Sequence, residues 1–204
     1  MRFIIRLNRV DCLTLSGVAS ASLAVACFLE RQFFLGTALL FLAMLGDALD
    51  GILARRLGLV RNFGRYLDGF MDVLIYLVAP ALGWYLMGFA GAWSVFLLAM
   101  LMAGCIRLAV FNDIGNLQGE SGLAYLGMPV FWSVFLLAGF QLLAFLLPLP
   151  WLFAALAAAL SLFSVAMLWH RPFFKFKKLS HILGLTLGGA ALFLALHLAG
   201  GLHG

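Results

Sequence analysis

Apolar runs of about twenty residues follow one another along the chain, separated by short stretches that hold most of the charge. The runs fall at about 10–29, 33–53, 65–87, 91–111, 127–147, 150–169 and 181–202. Each is long enough, or nearly so, for the roughly 20 residues a helix needs to cross a bilayer core. The pattern predicts an all-α, polytopic membrane helix bundle with seven spans and little chain left for any other domain. Before the first run, Arg2, Arg6 and Arg9 recur at helical spacing opposite Phe3, Ile4 and Leu7. That spacing suits a short amphipathic helix over 1–9 lying in the membrane interface; the alternative is a frayed basic end that only sets topology.

Composition agrees with the pattern. The chain is 65% hydrophobic and 10% charged, with a mean hydropathy of +1.12, against about 45–50% and 25% for soluble domains. An integral membrane protein is therefore expected. Short cytoplasmic loops carry the Lys and Arg excess. With the N-terminus inside, twelve of the thirteen basic residues fall on the cytoplasmic side and only Arg31 lies outside. The net charge of +5 then reads as topology and attraction to anionic lipid, not as a nucleic-acid footprint. A secretory signal at the start is rejected, because Asp11 interrupts the first run, Ala24 stands where a lipoprotein signal usually has Leu, and six further runs follow. Cys12, Cys27 and Cys105 sit inside apolar runs without metal-ligand spacing, so packing as small hydrophobes is expected of them. The four histidines, His170, His181, His197 and His203, read as interfacial or tail residues.

Four of the eight acidic residues stand in one segment: Asp47, Asp50, Asp68 and Asp72. A charged side chain at a helix centre in the bilayer costs roughly 2.5–3.5 kcal/mol, so four unpaired ones would cost on the order of 10 kcal/mol. A bound cation in a water-accessible pocket is the expected compensation. Residues three or four apart share a helix face. Asp47 and Asp50 therefore point together at the end of the second span, and Asp68 and Asp72 at the start of the third. The link 56–63 is short, basic and carries Gly58, so a tight hairpin sets the pairs face to face. All-carboxylate ligation suits Mg²⁺ or Mn²⁺ better than zinc, with waters and substrate phosphates completing the shell. Gly51 and Gly64 would let a bulky ligand approach the backbone, unless they serve close helix packing instead. Arg55, one turn beyond Gly51, would clamp phosphate oxygens with its planar fork.

Asp47, Asp50-Gly51, Ala54-Arg55, Gly64, Asp68 and Asp72 stand in the spacing of a known signature, without a gap. The segment resembles that of the CDP-alcohol phosphotransferases. The resemblance implies displacement of CMP from a CDP-linked lipid or alcohol by a hydroxyl, at a site with one or two divalent cations, in a six-helix core that commonly forms homodimers. Residues 10–169 would be that core, 170–180 a basic cytoplasmic loop and 181–202 an additional C-terminal span. Asp47, Asp50 and Asp68 would hold metal, and Asp72 would act as base, as ligand or as both. Gly51, Ala54, Arg55 and Gly64 would contact the CDP moiety.

Beyond the signature, Val78-Ala79-Pro80-Ala81, the stretch from Arg107 to Asn112, the stretch from Tyr125 to Val130, and the basic loop from Arg171 to Lys178 resemble those of membrane-integral phosphatidylserine synthases. Arg107 and Asn112 are accordingly candidates for the acceptor pocket, with Arg107 binding a carboxylate; a snorkelling arginine at the membrane edge is the alternative. Arg107 is the only basic residue between the fourth and fifth runs. A phosphorylated acceptor should want more than one, so the expected acceptor is L-serine; the donor that the resemblance implies is CDP-diacylglycerol or a related CDP-lipid. Gly69-Phe70-Met71 and Ile75-Tyr76 replace the Ser-Leu-Ala and Ser-Phe usual in serine-using relatives, which keeps inositol, choline, glycerol 3-phosphate and polyol phosphates in view. Intramembrane carboxylates also build cation-coupled transporters. Against that, the Asp residues cluster at one membrane face and no inverted repeat of broken helices is evident. A scaffold held by Asp–Arg pairs would leave the glycines and the spacing without a role.

Overall fold

The computed structural model of the chain describes residues 4–114, 117–119, 122–173 and 179–200. Helix α1 (Arg9–Leu29) begins where its cap dictates. Asn8, in extended backbone, accepts hydrogen bonds from the Val10 and Asp11 N–H groups, and the Asp11 carboxylate accepts one from the Asn8 N–H at 2.7 Å. This reciprocal box satisfies donors that an uncapped first turn would leave open. It also corrects an expectation: residues 4 and 5 form a bend and 6–8 carry no regular structure, so the amphipathic helix expected over 1–9 is not formed by its described part before Arg9.

Helix α2 (Phe33–Leu57) packs along α1. Small residues permit the close approach. A Cβ on Gly36 would lie 2.4 Å from the Phe28 ring, and Gly46 faces the Gly17 backbone, while the Ser20 hydroxyl donates to the Leu39 carbonyl at 2.9 Å. α2 ends at Gly58, left-handed at φ 64°, with the Leu59 N–H turned back to the Ala54 carbonyl at 2.9 Å. The expected tight connection is thus present, and α3 (Asn62–Asp72) follows at once.

From α3 the chain continues without a break through a π-helical stretch, Val73–Val78, into α4 (Ala79–Leu86). Pro80 accounts for the irregularity. It lacks the N–H that would bond the Tyr76 carbonyl, and its ring crowds that carbonyl. The Ala79 N–H reaches back five residues to the Leu74 carbonyl instead. After a short 3₁₀ turn, Gly91–Trp93, comes α5 (Ser94–Ile114).

Three short strands, β1 (Leu117–Gly119), β2 (Gly122–Leu126) and β3 (Pro172–Phe173), form an antiparallel ladder in that order. The register pairs Leu117 with Ala124 and Tyr125 with Phe173. The ladder ties the chain after α5 to the chain after α7 (Leu149–Leu168). Gly127 extends it, donating to the Arg171 carbonyl at 2.9 Å. No other residue fits there: φ is 70° and a Cβ would lie 2.2 Å from the Met167 carbonyl oxygen.

Six helical stretches among the described residues are long and apolar enough to cross a membrane: 9–29, 33–57, 62–86, 91–113, 149–168 and 179–198. The run expected at 127–147 differs. It is regular α-helix only over α6 (Trp132–Leu143), 12 residues. Pro129 and Pro148 bound it, and i to i+3 bonds such as Val134 to Phe131 and Leu146 to Leu143 replace the α pattern at its ends. The additional C-terminal span is α8 (Leu179–Leu198), docked on α2. There the Phe193 ring packs 5.9 Å from both Phe41 and Phe34, and Gly189 lies under the Phe41 ring. A buried polar contact joins α6 to α2, from the Gln141 amide to the Thr37 hydroxyl at 2.7 Å. Among the cysteines, Cys12 and Cys105 are exposed on the bundle surface instead of packed inside it.

The α8 contact has a direct test. A Cβ on Gly189 would lie 2.7 Å from the Phe41 ring, whereas one on Gly184 meets nothing within 4 Å. Gly189→Ala is expected to destabilise the detergent-solubilised protein by about 1–3 kcal/mol through overpacking. Gly184→Ala should be neutral or slightly stabilising. Thermal unfolding of both variants against the parent reads the difference.

Candidate functional site

The α2–α3 hairpin brings the four aspartates together as the spacing predicts, but not equally. Asp47, Asp50 and Asp68 each present a carboxylate oxygen within 4.8 Å of the other two, while Asp72 stands outside that trio. At such separations each pair of unit charges repels by about 3 kcal/mol even at an effective dielectric of ~20. With all three ionised, the sum is comparable with the whole stability of a typical domain, so a bound cation or protonation must relieve it. Three convergent carboxylate oxygens can hold a metal ion.

Neighbouring helices fix these carboxylates. The buried Thr14 hydroxyl of α1 donates to Asp50 and also reaches the Val10 carbonyl at 3.2 Å. The buried Tyr76 hydroxyl, from the π-helical stretch, donates to Asp47 Oδ2 at 2.5 Å. Asp11, buried within its capping box, pairs with Arg61, whose guanidinium also donates to the Arg6 carbonyl. That pair ties the α2–α3 link to the start of α1.

Beside the trio lies a cavity of about 280 Å³, lined by Asp50, Gly51, Ala54, Arg55, Gly64 and Asp68 of the signature, and by Asp11, Thr14, Arg61, Arg65 and Phe111 outside it. The two glycines had two competing explanations, and their surroundings separate them. A Cβ on Gly51 would come no closer than 3.5 Å to any neighbour, and one on Gly64 no closer than 3.8 Å. Both are ordinary contact distances. At Gly17, Gly36 and Gly104, by contrast, a Cβ would lie 2.7 Å or less from Met71, Phe28 and Leu77. Those glycines serve packing. Gly51 and Gly64 instead keep the cavity wall bare, and the Arg55 guanidinium lies over Gly51.

A third wall comes from α5. Arg107 is buried well inside the helix, not at its end, with its guanidinium 5.1 Å from the Phe111 ring centre. It is close enough to attract the buried Asp72 carboxylate, which Asp47, Asp68 and Asp50 repel. Asn112 packs its amide against α3, where a Cβ on Gly69 would lie 2.5 Å from Nδ2. A serine at position 69 would collide with Asn112 in this arrangement. Of the replaced positions, Phe70 faces outward, and Met71 and Ile75 are in the core. Tyr125, Lys175, Lys177 and Lys178 lie where no side chain is described.

Asp11, Thr14, Arg61, Arg65 and Phe111 were not singled out from the sequence as site residues. One signal was available: Asn8 and Asp11 stand at capping-box spacing inside an otherwise apolar start, and a buried acid there needs a partner.

A family model described as CDP-alcohol phosphatidyltransferase matches residues 7–195, and the chain belongs to that family. It is similar to a CDP-diacylglycerol–serine O-phosphatidyltransferase of Methanocaldococcus jannaschii, 34% identical over 102 residues, covering 50% of this chain and 48% of the relative. The protein of the same name from Bacillus subtilis is 28% identical over 130 residues, 61% of this chain and 70% of the relative. A phosphatidylinositol phosphate synthase of Streptomyces avermitilis is 28% identical over 121 residues, 59% of this chain and 47% of the relative. The matched part thus spans about half the length of the first and third of these.

The glycine contrast predicts separable effects. Gly51→Ala and Gly64→Ala should leave thermal stability unchanged or raise it by up to about 1 kcal/mol, since alanine favours the helix. Both should weaken binding of CDP, measured by calorimetry on the detergent-solubilised protein. Gly104→Ala should do the reverse, lowering stability with CDP affinity retained in the folded fraction.

Proposed function

We propose that the protein moves a phosphatidyl group from CDP-diacylglycerol, or a related CDP-lipid, to the hydroxyl of L-serine and releases CMP. The observation that carries this reading is the convergence of three carboxylates beside a cavity whose wall is two bare glycines and an arginine. Asp47, Asp50 and Asp68 would hold one or two divalent cations, Mg²⁺ or Mn²⁺, because their donor set is all oxygen. Bound there, such a cation would supply positive charge against that developing on the departing CMP. Gly51 and Gly64 admit the pyrophosphate close to the backbone, Arg55 takes phosphate oxygens, and Ala54 lines the same space.

Asp72 accepts the proton of the attacking hydroxyl as the new O–P bond forms and the bond to CMP breaks. Its place outside the carboxylate trio supports the base role over that of a ligand. Arg107 acts on Asp72 and meets the acceptor carboxylate, with Asn112 beside it against α3. The names of two relatives, and Arg107 beside Asp72, favour serine. A phosphorylated polyol is the second reading, favoured by Arg65 in the cavity wall and by the name of the Streptomyces relative.

The site faces the cytoplasm in this proposal. Arg55, Arg56, Arg61 and Arg65 flank the aspartates at one end of the α2–α3 hairpin, as basic residues do on the inner face. A homodimer is proposed on the resemblance of the signature.

Membranes containing the protein, given CDP-diacylglycerol and one radiolabelled acceptor at a time from serine, inositol, choline and glycerol 3-phosphate, should release CMP and label lipid with serine only. Chelation of divalent metal should stop the reaction. Turnover that survives chelation, or none with any acceptor, overturns the assignment; labelling by another acceptor moves it to that substrate.

Asp47→Asn should abolish both turnover and metal-dependent CDP-lipid binding. Asp72→Asn should retain binding while turnover falls by about 10²-fold or more. Normal turnover in Asp72→Asn would remove it as the base.

A further inference from the structure

Tyr76 lies in the only π-helical stretch among the described residues, four residues beyond Asp72 and eight beyond Asp68. In an α-helix each step of four overshoots a full turn by about 40°. The wider turn that Pro80 imposes reduces the overshoot and keeps Tyr76 over the site. The residue is 2% exposed, its hydroxyl has Asp47 Oδ2 as hydrogen-bond acceptor, and Asp72 and Asp68 are near enough to act on it electrostatically.

A phenylalanine would fill the same core volume without a buried hydroxyl to satisfy. The extra oxygen is therefore placed at some cost, and what it touches is one carboxylate of the trio. Carboxylates that bind metals are commonly held by a hydrogen bond from behind, which removes the need to order them on binding. Asp50 has such a partner in Thr14, and Asp47 has Tyr76.

We infer that Tyr76 is a positioning residue: its hydroxyl holds the Asp47 carboxylate in the orientation in which it converges with Asp50 and Asp68. The inference rests on the reading of Asp47 as a metal ligand. It acts through Asp47 and makes no contact with substrate, so its loss changes how tightly the ion is held and not the chemistry once the ion is in place.

The test uses the full chain in detergent without substrate. Free Mn²⁺ is titrated and followed by its EPR signal for the parent, Tyr76→Phe and Asp47→Asn, and melting of each metal-free protein is recorded alongside. Tyr76→Phe should weaken Mn²⁺ binding by about 10- to 100-fold with metal-free melting unchanged. In the transferase assay its turnover should recover at saturating Mn²⁺. Parent-like Mn²⁺ affinity in Tyr76→Phe overturns the role. So does a loss of affinity matched by a loss of metal-free stability, which marks packing alone. If the parent binds Mn²⁺ and Asp47→Asn binds it equally well, the reading of Asp47 as ligand fails, and the role of Tyr76 with it.

Discussion

Confinement of like charge is the constraint on which the rest of the structure depends. Three carboxylates that present oxygens within 4.8 Å of one another would drive two helices apart if nothing else held them. The hairpin resists because its halves are joined by a link capped at Gly58, and because α1 lies along both. The hydroxyls of Thr14 and Tyr76 each take one acidic side chain, and the Asp11–Arg61 pair fastens the link from outside. Stored repulsion of this kind gives a site its preference for a multiply charged cation, since such an ion turns every unfavourable pair into a shared ligand.

Small residues do two unlike things in this bundle. At Gly17, Gly36, Gly104 and Gly189 the missing side chain is replaced by a neighbour's atoms, so the space saved goes to packing. At Gly51 and Gly64 no protein atom comes nearer than 3.5 Å to where a Cβ would stand. Composition along a membrane helix does not distinguish the two uses. Distances do, and they assign the signature glycines to the cavity and the others to the lipid-embedded core.

What was legible in the sequence was whatever depends on local spacing. Asp47 with Asp50, Asp68 with Asp72, and the Gly58 turn all follow from helical periodicity and from one conformational preference, and Asp47, Asp50 and Asp68 converge accordingly, with Asp72 outside the trio. Thr14 and Tyr76 were not legible in their roles, because the residues they hold lie 36 and 29 positions away. No local pattern announces a partner at that distance. The amphipathic spacing of Arg2, Arg6 and Arg9 was a misleading signal: helical periodicity in a few residues is outweighed by a capping box that starts the helix at Arg9. The run 127–147 was apolar enough for a span, but hydropathy is blind to Pro129 and Pro148, which shorten its regular helix.

The cavity opens at the ends of α2 and α3, and part of its wall is Leu59 and Val60, both exposed, with Tyr66 and Phe70 also turned outward nearby on α3. Apolar side chains at that level belong at the boundary between headgroups and acyl chains. For a lipid-linked donor of the kind proposed, the geometry removes an energetic obstacle. Withdrawing acyl chains from a bilayer costs about 0.8 kcal/mol per CH₂, a sum no polar site could recover. With the headgroup entering here, the chains of such a donor would remain dissolved in the membrane, so it would arrive by lateral diffusion in two dimensions and a water-soluble acceptor by the third.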